Sequence, residues 1–441
     1  MQRIRIYINK YKKLKTKNKR KKKKLNHQNY ISFDNIISFI RKIFCFLIIF
    51  FIVKYFVTRY KKNRKRILEK IIEFEKNLKN ITEKDIQEFR QFNIDNKLEN
   101  ELNPKKSRNP DISVIITTHN QAHCLYKCLR SIQNQSIKNL EIIFVDDCST
   151  DNTTEVIKEF QKYDERIILI NHDTNEGPIK SRTDGIKAAK GKYISIVDGD
   201  DALIHKDVFY NSLYIANLGN LDVVEFKASY YKNRIFKEVV NSYSLLNISG
   251  IVYQPELRTK FFIISDNDGI RAIQGRAIWA KLIRNKVFQQ AIINIGPKYT
   301  DDYILTYEDT IMTVAIYQVA QSYYLMKEVG YYYSRDEFGG RFPALKGRSC
   351  KPNNKVKDMG HIKLLHFLIE KTANNELERQ LVYHELFSID HYLSIIYFTY
   401  HNYEMVYEVI DPLIQSPFLK DNQKERLTNL KKKLMEKQNK K

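Results

Sequence analysis

Acidic residues recur in tight clusters through the middle of this 441-residue chain: Asp146-Asp147, Asp198-Gly199-Asp200-Asp201, Asp301-Asp302 and Glu308-Asp309. Carboxylates held close together repel one another unless a cation joins them. Oxygen-only ligand sets suit Mg²⁺ or Mn²⁺, which keep water or phosphate oxygens as their remaining ligands. Gly199 allows a sharp turn between Asp198 and Asp200, so both carboxylates can face one spot. A carboxylate outside such a set is a candidate base for taking a proton from a hydroxyl. A solvated turn or a helix N-terminus can carry the same residues, so the surrounding elements must decide.

Those elements are legible from Asp111 onward. Short apolar runs at 112–117, 141–146, 166–171 and 192–197 alternate with helix-like stretches at 121–134, 152–163 and 178–190. Apolar runs of this length alternating with helices predict βαβ units and a mostly parallel sheet buried on both faces. In such sheets ligands sit beyond the carboxyl ends of the strands. The polar residues stand there: Thr117-Thr118-His119-Asn120 after the first run, Asp146-Asp147 after the second, and Asp198 to Asp201 after the fourth. The fold class expected is therefore α/β, with one acid-lined crevice.

Residues 112–201 resemble the family 2 glycosyltransferases of GT-A fold. The matching text is ISVIITTHNQAHCLYKCLRSIQNQSIKNLEIIFVDDCSTDNT and then NEGPIKSRTDGIKAAKGKYISIVDGDD. The resemblance implies sugar transfer, with inversion, from a nucleotide-sugar donor, UDP-linked by preference, to a carbohydrate or glycoconjugate acceptor, with Mn²⁺ or Mg²⁺. It implies that Thr117 and Asp147 contact the nucleobase, that Asn120 supports their loop and that Arg182 lies near base or diphosphate. Asp198 would contact the ribose or the metal shell, and Asp200 would be the principal metal ligand. AIWAKLIRNKVF (277–288) resembles the family's Trp-x-Lys-Leu segment, which precedes an acceptor-side acidic pair. That pair is Glu308-Asp309, with Asp309 as base, Glu308 assisting and Asp301-Asp302 in competition for the role. YYYSRDEFGGRF (331–342) resembles a further family element, in which Tyr333 and Arg335 line the acceptor side or simply pack. Trp279 reads as core before sugar platform. Thr117, His119 and Cys148 depart from the commonest family residues without removing a charge. The Q-x-x-R-W pattern of processive members is absent, because Gln274, Arg276 and Trp279 have other spacing.

The net charge of +24 does not belong to this region. Residues 1–66 hold 22 Lys and Arg with one acid, and residues 424–441 hold 8 bases with 2 acids. A uniformly basic nucleic-acid binder is excluded, and no nucleic-acid partner is expected. With 43% hydrophobic and 12% aromatic residues the chain is not globally disordered. The expected order is a basic disordered leader (1–35), a transmembrane anchor (36–58), a helical stem and linker (59–110), the GT-A domain (111–350) and a helical C-terminal region with a basic tail (351–441). The anchor implies a single-pass protein of Golgi or ER with a lumenal catalytic domain, although its clean apolar stretch, Ile43–Val53, is only 11 residues. Ile67, Ile71, Phe74, Leu78 and Ile81 form a short helical stripe that reads as packing on its own domain. The five cysteines are too scattered for a disulfide framework or zinc-finger spacing. A nucleotidyltransferase would carry a Gly-rich basic loop after the first strand, which Thr117–Asn120 does not resemble. An inactive binding protein of the same fold is disfavoured by the intact acids.

Overall fold

The computed structural model describes residues 33–78, 104–232, 235–239, 250–257, 264–266, 269–271 and 277–334, some helical positions between 363 and 415, and 421–438. Residues 1–32 of the leader, 79–103 of the stem and 335–362 lie outside the described residues, as do Gln274, Arg276 and Arg335. The chain divides into two units, Met1–Arg66 and Ile67–Lys441.

Helix α1, Phe33–Lys76, runs for 44 residues. The expected anchor is corrected here: among the described residues no helix is long and apolar enough to cross a membrane. The physical reason is visible in the sequence. Arg41-Lys42 and Lys54 bracket 11 apolar residues, roughly 16 Å at the α-helical rise, against a hydrocarbon core of about 30 Å. The single-pass localisation in Golgi or ER that rested on that anchor falls with it.

In the second unit, the end of α1 lies against the sheet. Ile71 is fully buried, and Ile67, Leu68, Phe74 and Leu78 pack into the same cluster. Phe74 stacks on Tyr214 at 4.3 Å, and Glu75 accepts hydrogen bonds from Tyr324 OH (2.8 Å) and Lys327 N (2.9 Å). The helical stripe is thus used inside its own unit.

From residue 112 the chain alternates strand and helix. The order is β1 (Ile112–Thr118), α2 (Leu125–Gln133), β2 (Leu140–Asp146), α3 (Thr153–Gln161), β3 (Ile167–Asn171), α4 (Pro178–Ala188) and β4 (Tyr193–Asp198). Successive side chains of a strand point to opposite faces, and both faces are apolar. Ile115, Ile143, Val145, Ile194 and Ile196 join one buried cluster, and Val114, Ile116, Ile142, Phe144 and Val197 join the other. That double burial is why these strands read as continuous apolar runs.

The remainder is less regular. It comprises β5 (Ala202–Leu203), α5 (Val208–Gly219), β6 (Val223–Lys232), β7 (Ile235–Val239), β8 (Val252–Tyr253), β9 (Ile264–Asp266) and β10 (Gly269–Arg271). Then follow β11 (Lys281–Arg284), α6 (Asn285–Ile295), α7 (Pro297–Thr300), α8 (Glu308–Val319), β12 (Ser322–Tyr332) and α9 (Asp421–Gln438). The main sheet runs β3-β2-β1-β4-β11-β6-β12-β5. Its first four strands are parallel, but β11 is antiparallel to both β4 and β6. The sheet is therefore mixed, which corrects the mostly parallel expectation. Four-residue β11 carries a charge at each end, and Lys281 and Glu225 neutralise one another inside the sheet at 3.1 Å. No apolar run announces such a strand.

Candidate active site

The carboxyl ends of β1, β2 and β4 lie side by side. Thr117 is in register with Val145 on one side and Asp198 on the other. Asn120 then takes a left-handed conformation, φ 56, which Asn tolerates better than most residues. There its Oδ1 accepts the N–H groups of Thr150 (2.7 Å) and Asp151 (3.2 Å), while its own N–H donates to Ser149 Oγ (2.9 Å). Asn120 thus splices the loop after β1 to the loop after β2.

Asp147 is buried and organises a third loop. Its Oδ1 accepts Glu176 N and its Oδ2 accepts Gly177 N, each at 2.8 Å, and His172 Nδ1 lies 2.9 Å from Oδ1. This fixes the approach to α4, which starts at Pro178 after Gly177 in a positive-φ conformation. Proline suits the first helical position because its missing N–H has no intrahelical partner there.

Helix α4 carries Arg182, only 5% exposed. Its Nη2 donates to Asp198 Oδ1 at 3.1 Å, and its Nη1 donates to Glu308 Oε1 at 3.1 Å and also to Asp309. Arg182 therefore joins the end of β4 to the first turn of α8, reaching Glu308 across 126 residues of sequence. Glu308 and Asp309 occupy that first turn, where the helix dipole favours negative charge. Asp309 also accepts a backbone hydrogen bond from Ile278. Burial raises the Asp309 carboxyl, and Arg182 partly offsets it.

Burial, and then the neighbouring Asp309, push Glu308 up to about 8 against the opposing pull of Arg182. The unfolded chain releases this proton near the usual value of 4.5, while the folded chain holds it until about 8. Stability from this group is therefore complete below about pH 4.5 and is lost as the pH climbs through about 8. Glu308→Gln should flatten the decline of Tm across that window. Melting curves by circular dichroism at a series of pH values check this; parallel declines in variant and wild type would refute it.

The turn after β4 separates three acids by role. Asp201 N donates to Asp198 O at 2.9 Å, closing the turn. Asp201 is buried, accepting Tyr331 OH and Ser334 N at 2.8 Å each, and Tyr331 OH in turn accepts Asp198 N at 3.2 Å. Asp201 is thus consumed in holding the turn to β12. Asp200 is half-buried, and its carboxyl is pushed up to about 6, first by burial and then by Asp198. That cost of keeping two carboxylates together is what a hard cation would relieve, so Asp198 and Asp200 fit Mg²⁺ or Mn²⁺ chemically.

Residues 113–233 match the family model for glycosyl transferase family 2. They form a family 2 glycosyltransferase domain. GlyA of Streptococcus pneumoniae, named a glycosyltransferase, is 31% identical over 204 residues, 44% of this chain and 27% of GlyA. The GalNAc(5)-diNAcBac-PP-undecaprenol beta-1,3-glucosyltransferase of Campylobacter jejuni is 41% identical over 96 residues, 22% of this chain and 31% of that protein. The chain thus spans less than a third of the length of either relative. A crystal structure of S. aureus TarS 1–349 in complex with UDP covers 74% of this chain and 89% of that one, at 16% identity and TM-score 0.49. That is too distant for transferring residue roles.

Within the glycosyltransferase domain and the segment that follows it, Arg182, Asp198, Glu308 and Asp309 meet in one cluster, with Asp200 beside Asp198. Thr117 borders them through its register with Asp198. Asn120 and Asp147 act on the neighbouring loops. The competing pair goes elsewhere: Asp302 pairs with Lys363 at 2.5 Å and Asp301 with Lys180 at 3.3 Å. Trp279 is half-buried and stacks on Tyr331 (4.7 Å) and Tyr333 (5.4 Å). Cys124 and Cys128 are buried free thiols. Sequence reasoning missed Tyr331, Ser334, His172 and the Ile278 amide, because each acts through backbone geometry or a distant partner. Tyr331 and Ser334 fall within the quoted segment 331–342 and Ile278 within 277–288, but His172 carried no signal.

Proposed function

We propose that the protein transfers a sugar from a nucleotide-sugar donor, UDP-linked by preference, to a hydroxyl of a carbohydrate or glycoconjugate, with inversion and one sugar per binding event. The observation that carries this reading is the Arg182 bridge, which brings the Glu308-Asp309 pair to the Asp198–Asp201 turn. Donor-side and acceptor-side chemistry then share one crevice. Thr117 and Asp147 face the nucleobase. Asp147 supports uracil because a carboxylate has about four acceptor positions, and its oxygens keep capacity to accept an imide N–H beyond the loop amides.

Asp198 and Asp200 would hold Mn²⁺ or Mg²⁺. When bound, such an ion supplies positive charge against the leaving nucleoside diphosphate. Asp309 accepts the proton of the attacking hydroxyl, its carboxylate oriented by Arg182 and the Ile278 amide. A single displacement needs one base and no covalent intermediate. A relative named as a beta-1,3-glucosyltransferase supports a hexosyl donor. The missing Q-x-x-R-W pattern supports a non-processive enzyme.

Ligand-induced thermal stabilisation tests the donor half. UDP with Mn²⁺ should raise Tm more than GDP or dTDP with Mn²⁺, since a ligand that binds only the folded state stabilises it. No shift with any nucleoside diphosphate would overturn the reading.

A further inference from the structure

The guanidinium of Arg182 occupies a carboxylate that a metal ion would also use. Asp198 Oδ1 is 3.1 Å from Arg182 Nη2, and that arginine is buried. Among the described residues, no group of three or more His, Cys, Asp or Glu could hold a metal ion. Asp198 and Asp200 are thus two carboxylates without a third partner, since Asp201 is taken by Tyr331 and Ser334. A hard divalent cation wants about six oxygen ligands. Two carboxylates, one already neutralised by a fixed cation, make a weak site in the donor-free protein.

We propose that Arg182 is a resident counter-ion that competes with the divalent cation for Asp198 and so makes cation binding conditional on a nucleoside diphosphate. The idea rests on the glycosyltransferase reading only for the identity of the nucleotide; the competition itself needs none. Without the nucleotide, Arg182 sits between Asp198 and the Glu308-Asp309 pair and offsets part of the repulsion among these acids. A diphosphate brings both negative charge and oxygen ligands, which shifts the balance toward the cation. Arg182 stays charged throughout: burial opposes its charge, but Asp309, Asp198 and Glu308 more than compensate. It acts as a positioning residue, through the acids it holds.

The test is Mn²⁺ binding to the full chain, read as free Mn²⁺ by electron paramagnetic resonance, so that no turnover is needed. Without nucleotide, Arg182→Met should bind Mn²⁺ about tenfold or more tightly than wild type, because a unit charge next to a ligand has gone. Arg182→Lys, which keeps the charge, should stay near wild type. A purely structural arginine predicts the reverse for Arg182→Met, an unchanged or weakened site. With the Mn²⁺ chelated by nucleotide alone subtracted from a protein-free control, adding UDP or GDP should tighten Mn²⁺ binding to wild type by about tenfold or more, and to Arg182→Met by less. Equal or weaker Mn²⁺ binding by folded Arg182→Met would overturn the proposal. If that variant does not fold, wild type decides: Mn²⁺ binding that is already tight without nucleotide and unchanged by UDP or GDP overturns it. Failure of both nucleotides to bind, with Arg182→Met still gaining affinity, would sink the donor assignment and keep the competition.

Discussion

Asp309→Asn should bind the nucleotide-sugar donor as wild type does and lose transfer by about 10²–10⁴-fold, the usual worth of a positioned general base. The amide is nearly isosteric, so the first turn of α8 and the contact with the Ile278 amide have no steric reason to move. What disappears is a group that can accept a proton. Glu308 does not replace it readily, because its burial still favours the protonated form once the Asp309 charge is gone. The check is a paired measurement of donor affinity and turnover on one preparation. Transfer near the wild-type rate would place the base elsewhere, and Asp302, now paired with Lys363, would be tested next.

Asp200→Asn should fail at the other half of the reaction. Asp200 is pushed up to about 6 by burial and by Asp198, and a neutral amide relieves that repulsion, so the variant should fold. It should also lose most of the attraction for a divalent cation, and with it the charge that offsets the leaving diphosphate. The expected result is transfer reduced to background, with donor affinity in Mn²⁺ weakened as well. The two variants are therefore separable: one keeps donor binding and the other loses it. Near-normal turnover by Asp200→Asn in Mn²⁺ would remove Asp200 from the cation site.

The parallel half of the sheet was legible because burial on both faces writes itself as continuous apolar runs, as in ISVIIT and EIIFVD. The antiparallel insertion was not. β11 is four residues long and includes Lys281 and Arg284, whose charges are matched by Glu225 and Asp222 on or beside the neighbouring strand. Pairing across some 60 residues has no local period to detect. The same limit applies to the site. Asp198, Asp200, Glu308 and Asp309 could be picked out by type and context, but Arg182 was expected at the nucleotide. Its bridge to α8 depends on how helix α4 lies against the sheet. Asp201 looked equal to its neighbours until Tyr331 and Ser334 claimed it. The apolar segment at 43–53 fails as an anchor for a different reason: its 11 residues are short against a hydrocarbon core of about 30 Å.

The most direct measurement of the central claim is release of nucleoside diphosphate from a panel of UDP-sugars by the purified full chain, with and without EDTA. Donor-dependent release that EDTA abolishes, that Mn²⁺ restores and that Asp309→Asn lacks is the predicted result. Release that persists undiminished in EDTA, or that Asp309→Asn retains in full, would contradict it.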